Sequence, residues 1–208
     1  MSKTKMSRMQ GKPAENKSKR ESKKQELAKH TLETLSVLGY ANTSLRDIAE
    51  QSGVSVGVLH YYFEDKVDLI TYCVQMYKDA FIARLDSSLS ENGDDDHILN
   101  EFIERIVESV VNEGKVHRLW YDIRGQALFN PDFQVVVDEL EEALIALNAR
   151  FLARVNVPGL SPLDLYFGVD ARFRYYLQKY LAGHEEAVDE LRLSLHQQFH
   201  FFRSKSGE

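Results

Sequence analysis

An all-α protein of about nine helices is what this sequence predicts, and three observations carry that reading. Only four prolines and eleven glycines punctuate the 208 residues, too few for many short strands joined by tight turns. Apolar residues recur at helical spacing in one segment after another. No stretch alternates as a half-buried strand does, and no internal repeat is visible. The hydrophobic content of 43% is enough for a substantial core.

The elements follow in order. Residues 1–20 have almost no apolar content and read as a disordered basic arm. From Ser22 the leucines Leu27, Leu32, Leu35 and Leu38 define helix one, and Gly39 fits the residue just past its end. Ser44 and Asp47 have capping-box spacing at the start of helix two, which buries Leu45, Ile48 and Ala49 and ends at Ser52-Gly53. Ser55 caps helix three, which runs to Tyr62, and Asp65 caps a long fourth helix reaching about Leu89. The polar run Glu91 to His97 breaks the chain. A fifth helix covers Asp96 to Asn112 and is ended by Gly114. A sixth carries Lys115 to Phe129, interrupted by Gly125. Pro131 opens a seventh that reaches Val155. The eighth and ninth cover Pro162 to Ala182 and Glu185 to Phe202.

Charge separates the chain into a front and a body. Residues 1–66 hold twelve basic and eight acidic side chains, whereas residues 67–208 hold fourteen basic and twenty-four acidic. A basic front on an acidic body points to a polyanionic partner for the front alone. One cysteine, Cys73, leaves no internal disulfide and suits a reducing cytoplasm. No apolar run is long enough for a membrane span, and the basic N-terminus lacks the apolar core of a secretory signal.

Two glycines four residues apart, Gly53 and Gly57, divide the stretch Asp47 to Lys66 in an informative way. Two short helices joined at Gly53 form a helix-turn-helix, whose second helix enters the DNA major groove. Gly53 supplies turn geometry that a side chain resists, while Val54 and Leu59 face inward. Gly57 lies in the first turn of the second helix, opposite its buried side, and lets the backbone approach DNA closely. The run His60-Tyr61-Tyr62 brings polar-tipped rings to the helix end.

The segment "GYANTSLRDIAEQSGVSVGVLHYYFEDKVDLI", Gly39 to Ile70, resembles the TetR family of bacterial transcriptional regulators over about thirty residues at fixed offsets. His60 stands where that family often has tyrosine; it still donates to a phosphate, with a contribution that depends on pH. In the C-terminal half, "LWYDIRGQALFNPDFQVVV" and "GVDARFRYYL" look similar to a subgroup that includes regulators of choline and betaine metabolism. Arg172 and Arg174 depart from that subgroup's apolar tendency. The resemblance implies a basic arm (1–20), a helix-turn-helix domain (21–66) and a ligand-binding and dimerisation domain (67–208). It also implies a homodimer joined by its last two helices, a double-stranded DNA operator and a small-molecule effector. Ligand binding then moves helix four and changes the spacing of the recognition helices, which must match about 34–36 Å of DNA.

On the DNA side, Thr43, Ser55, His60, Tyr62 and Lys66 are assigned to phosphates. Arg46, Val56, Gly57 and Tyr61 are assigned to base edges, with the Arg46 fork suited to guanine O6 and N7. Ser44 belongs to the same set, chiefly as a cap. The ligand candidates are Phe102, Trp120, Tyr121, Arg124, Phe129, Tyr166, Asp170, Phe173 and Tyr176. A charge such as Arg124 amid apolar residues needs a partner: Asp170, another acid, or an anionic ligand. An internal ion pair is the favoured reading, and a cationic ligand held by aromatics and Asp170 is the alternative.

An activator, or a regulator that needs no ligand, is the alternative role on the same fold. A helical-bundle enzyme requires a nucleophile with a base or a carboxylate–histidine metal cluster, and the sequence shows neither pattern. His196 and His200, four apart, read as interface packing, and no cofactor is expected.

Overall fold

The computed structural model describes residues 12–90, 92–155, 157 and 159–205. Among them there is no strand, and eight helices follow one another: α1 (Lys12–Leu38), α2 (Leu45–Gln51), α3 (Val56–Tyr62), α4 (Lys66–Ser88), α5 (Asp95–Ala127), α6 (Pro131–Val155), α7 (Pro162–Leu181) and α8 (Ala187–Lys205). The all-α expectation holds. The chain divides into two compact units, Met1–Cys73 and Val74–Glu208, so the division falls inside α4 and not at its start.

In the first unit, α2 packs on both α1 and α3. Its core contains Leu27 and Leu35 of α1, Ile48 and Ala49 of α2, Leu59 of α3, and Leu69, Ile70 and Cys73 of α4. The Cys73 thiol donates to the Ala28 carbonyl at 3.5 Å, and burial pushes its ionisation far up. It is a core residue, not a reactive thiol.

Helix α1 starts ten residues before the first apolar marker would place it. Residues 12–20, expected to be part of a disordered arm, are its opening turns. Lys, Glu, Arg and Ala are good helix formers, and propensity extends a helix beyond the reach of its apolar spacing. Residues 1–11 of the expected arm lie outside the described residues.

The turn between α2 and α3 has left-handed backbone at Gly53, with φ of +63°. A Cβ there would meet nothing within 4 Å, so backbone strain is the whole cost of adding one. Gly53→Ala should destabilise this unit by about 1–2 kcal/mol. Urea melts check this, and an unchanged midpoint would show that the turn does not need glycine.

The second unit is organised by α5. This one helix replaces the two expected between Asp96 and Phe129. Gly114, expected to end a helix, is buried within it. A Cβ at Gly114 would stand 3.3 Å from Leu177 Cδ1 and 3.5 Å from Leu181 Cδ2, so the missing side chain permits a close approach of α7. On α5, Ile98, Phe102, Ile106 and Val110 continue at helical spacing into Gly114, His117, Trp120 and Ile123, all buried. Phe102 stacks on Phe151 of α6 at 4.2 Å, and Phe151 meets Phe199 of α8 edge-on at 5.4 Å. Each such ring contributes roughly 2–3 kcal/mol by leaving water. Between α7 and α8, Arg172 donates to Ser194 Oγ at 3.1 Å and to the Gly168 carbonyl at 2.9 Å.

Candidate nucleic-acid interface and buried cavity

The helix-turn-helix is held by its caps. The Asp47 amide donates to Ser44 Oγ at 3.2 Å, and the Ser44 amide donates to Asp47 Oδ2 at 2.7 Å. This reciprocal box fixes the start of α2 and holds the Asp47 carboxyl below its ordinary range, mainly through the Ser44 hydroxyl. Ser55 caps α3 by accepting from the Val58 amide at 3.3 Å. The Lys66 ammonium, at the start of α4, donates to the Tyr40 carbonyl at 2.8 Å and lies 4.2 Å from the Tyr40 ring.

Most residues assigned to DNA share an outward position. Ser44, Arg46, Ser55, Gly57, His60 and Tyr61 are exposed, and Val56, Tyr62 and Lys66 are half-buried. Gly57 has ordinary helical backbone, and a Cβ would meet only Ser55 Oγ at 3.7 Å. The protein's own packing therefore gives no reason for glycine there. Tyr61, 67% exposed, lies edge-on to Tyr62 and under the Arg20 guanidinium at 5.6 Å.

Thr43 is the exception. It is only 3% exposed, and its hydroxyl donates to the Gly39 carbonyl at 2.7 Å. Its side chain packs the turn before α2 and offers no surface to a phosphate.

In the second unit a cavity of ≈ 60 Å³ lies among α4, α5, α6 and α7. Six of the nine ligand candidates line it: Phe102, Trp120, Tyr121, Tyr166, Asp170 and Phe173. Arg124 stands beside it and donates to Asp170 Oδ2 at 2.8 Å. Its second arm reaches Glu141 Oε1, also at 2.8 Å. The charge is thus answered internally by acids from α6 and α7. These pairs, with Tyr166 beside them, hold the guanidinium firmly protonated despite partial burial. The Tyr121 hydroxyl donates to Asp170 Oδ1 at 3.0 Å.

Two candidates do not belong to the cavity. Phe129 is 87% exposed in the turn between α5 and α6, since α5 ends at Ala127 and the chain leaves the core there. Tyr176 packs against the core and edge-on to Tyr175 at 5.0 Å.

The sequence reading missed Lys78, His117 and Asn148, which also line the cavity. Lys78 is 3% exposed, and burial lowers its pKa to about 7. A signal existed: Val74, Lys78, Phe81 and Leu85 follow at i, i+4, i+7 and i+11, so the lysine sits in the apolar stripe of α4.

His117 is fixed by its neighbours. Its Nε2 lies 3.0 Å from Ser109 Oγ and 3.1 Å from the Tyr77 hydroxyl. Ser109 donates its proton to the Ile106 carbonyl, and Tyr77 donates its proton to Glu113. Both oxygens are therefore acceptors toward the imidazole, and the proton belongs on Nε2. Burial, with Lys78 and Arg84 nearby, holds the ring neutral. Nδ1 is left as a buried acceptor without a partner.

Among the described residues no group of three potential ligands could hold a metal ion, and no helix is long and apolar enough to cross a membrane.

Residues 27–73 match the family model of bacterial regulatory proteins, tetR family. No curated protein matches the chain. Solved structures do match its fold. A TetR transcription regulator from Haloarcula marismortui has a TM-score of 0.69 at 17% identity, covering 89% of this chain and 98% of that one. The fatty acid degradation regulator FadR from Bacillus halodurans has a TM-score of 0.71 at 16% identity, covering 85% and 94%. A transcriptional regulator from Saccharomonospora viridis in complex with choline has a TM-score of 0.67 at 17% identity, covering 85% and 95%. At such identities these structures speak for the fold, and the family rests on the helix-turn-helix segment. That segment is a helix-turn-helix domain of the tetR family of bacterial regulatory proteins, and the chain as a whole shares the fold of solved TetR regulators.

Proposed function

We propose that the protein is a repressor that binds a palindromic operator as a homodimer and releases it when a small molecule enters the cavity beside Trp120. The observation that carries the DNA-binding part is the outer face of α2 and α3. Arg46, Ser55, Gly57, His60 and Tyr61 are exposed there, while Ile48, Ala49 and Leu59 of the same helices are buried. A second copy is the partner suited to α7 and α8, whose surface carries Phe167, Tyr175, Leu193 and Phe201 exposed. Large apolar side chains repeated along one pair of helices favour a self-complementary contact. The ligand part rests on α4, which supplies Ile70 and Cys73 to the first unit's core and Lys78, Phe81 and Leu85 to the cavity. A ligand acts on DNA binding to the extent that it prefers one of two α4 arrangements.

The test is a mobility shift on the DNA upstream of the protein's own gene. The protein should give a specific shift, and Arg46→Ala should weaken it by at least about 30-fold. Two half-sites each lose a contact of about 1–3 kcal/mol. No specific shift on that DNA, or an unaltered one with Arg46→Ala, rejects the reading.

A further inference from the structure

Within the second unit, the acids nearest Lys78 are already engaged by other groups. Asp170 accepts from Arg124 at 2.8 Å and from Tyr121 at 3.0 Å. Glu113 accepts from Tyr77 at 2.8 Å and pairs with Arg84. These are the two carboxylates whose charge favours an ammonium at Lys78. Among the described residues, Lys78 Nζ makes no hydrogen bond or ion pair. Its contacts are the ring faces of Trp120, at 4.7 Å, and Phe81, at 5.2 Å. Aromatic faces offset part of the cost of burying a cation, but they do not replace an anion. The Tyr166 hydroxyl at the same cavity is also buried without a hydrogen-bond partner. Burial, with the charge of Asp170 and then of Glu141 nearby, pushes its ionisation up.

The charge of the missing partner follows from the ring faces. The Trp120 ring already carries Lys78 at 4.7 Å and Arg124 at 5.7 Å. The Tyr121 ring carries Arg124 at 5.7 Å and Arg174 at 5.5 Å. A quaternary ammonium seeking an aromatic cage would meet cations on both. The size follows from the cavity, ≈ 60 Å³, which at about 10–15 Å³ per water holds about four to six non-hydrogen atoms.

We propose that this cavity takes a small organic carboxylate, its anionic head on the Lys78 ammonium and its short apolar body against Phe81, Leu85, Phe102 and Ile106. The inference rests on reading the cavity as the effector site, and it goes further by naming the effector's charge and size. Besides burial, the charges that act on Lys78 are Asp170 of α7 and Arg124 and Glu113 of α5, while Lys78 itself, with Arg84 of its own helix, acts on the neutral His117 of α5. Adding a carboxylate to this set favours the ammonium. Binding therefore draws a proton onto Lys78 in the pH range just above about 7, where the free protein's lysine is largely neutral.

The experiment is calorimetric titration of the full chain, without DNA, using acetate, propionate and butyrate. The matched primary amides and butylammonium serve as controls. At least one carboxylate should bind at a single site, with its amide at least about 10-fold weaker. Lys78→Met, which removes the charge and keeps the volume, should lose at least about 10-fold in carboxylate affinity. Titration at alkaline pH in two buffers of different ionisation heat should show proton uptake. The inference is overturned if no carboxylate binds, if amides bind equally well, if butylammonium binds instead, or if Lys78→Met binds as the parent does. Because no DNA is present, a failed operator shift leaves this result standing, and the converse also holds.

Discussion

Lys78→Met should raise the melting temperature by about 6–12 °C at pH 6, and by much less at pH 10. The lysine is buried, and its pKa is lowered to about 7 by desolvation, with Arg124 adding to the effect and Asp170 and Glu113 opposing it. In the unfolded chain it is an ordinary lysine near 10.4. Between these two values the unfolded state holds a proton that the folded state lacks. The group's contribution to stability therefore rises with pH across that window, and its penalty is full below about 7. Removing the charge gains on the order of 3 kcal/mol on the acid side, and the gain shrinks towards pH 10. Methionine keeps the stem against Phe81 and Trp120. Calorimetric melts of both proteins at pH 6, 8 and 10 test this, because all other titrating groups are shared. A variant that melts lower than the parent at pH 6, or a gain that does not change with pH, rules the account out.

Gly57→Glu should abolish specific DNA binding, lowering affinity by at least about 100-fold, while leaving the fold as stable as before or slightly more so. The two effects separate because they have different causes. The backbone at Gly57 is helical, and a new Cβ meets nothing closer than Ser55 Oγ at 3.7 Å. Glutamate is a better helix former than glycine by about 0.5 kcal/mol, and an acid suits a first turn. On the outside of α3, the same side chain keeps the backbone away from the groove and sets a negative charge against phosphates. Paired thermal melts and mobility shifts give the answer. Loss of stability in step with loss of binding would falsify the idea that Gly57 is kept open for DNA.

Much of the first unit was legible because its signals are local. Ser44, Asp47, Gly53 and Ser55 act within three or four residues of themselves, and capping and turn geometry need no knowledge of the rest of the fold. Gly114 shows where that stops. A glycine that ends a helix and a glycine that lets another helix approach look alike in one dimension, and only the position of Leu177 separates them. Phe129 fails for a related reason: a large ring near the end of an apolar helix looks like core until the helix ends before it. The start of α1 was hidden because apolar spacing marks only helices that bury a face. Arg124 went the other way. The argument that a charge among apolar residues needs an acid pointed to Asp170, and the pair is present at 2.8 Å. Applied to α4 the same argument finds Lys78, which occupies an apolar position and, among the described residues, forms no ion pair.

Arg124 joins α5 to α6 and α7 through Glu141 and Asp170, and in doing so it separates the scaffold of the cavity from its selectivity. The walls are tied by one ion-pair network, and the group that would choose the ligand stands apart from it on α4. Selectivity can then drift, in evolution or by design, through a single codon: lysine for an acid, methionine for a neutral molecule of the same shape. Neither choice disturbs the walls. On the proposed reading of the cavity, scaffold and selectivity are divided between helices, so ligand choice can change at one position without loosening the walls.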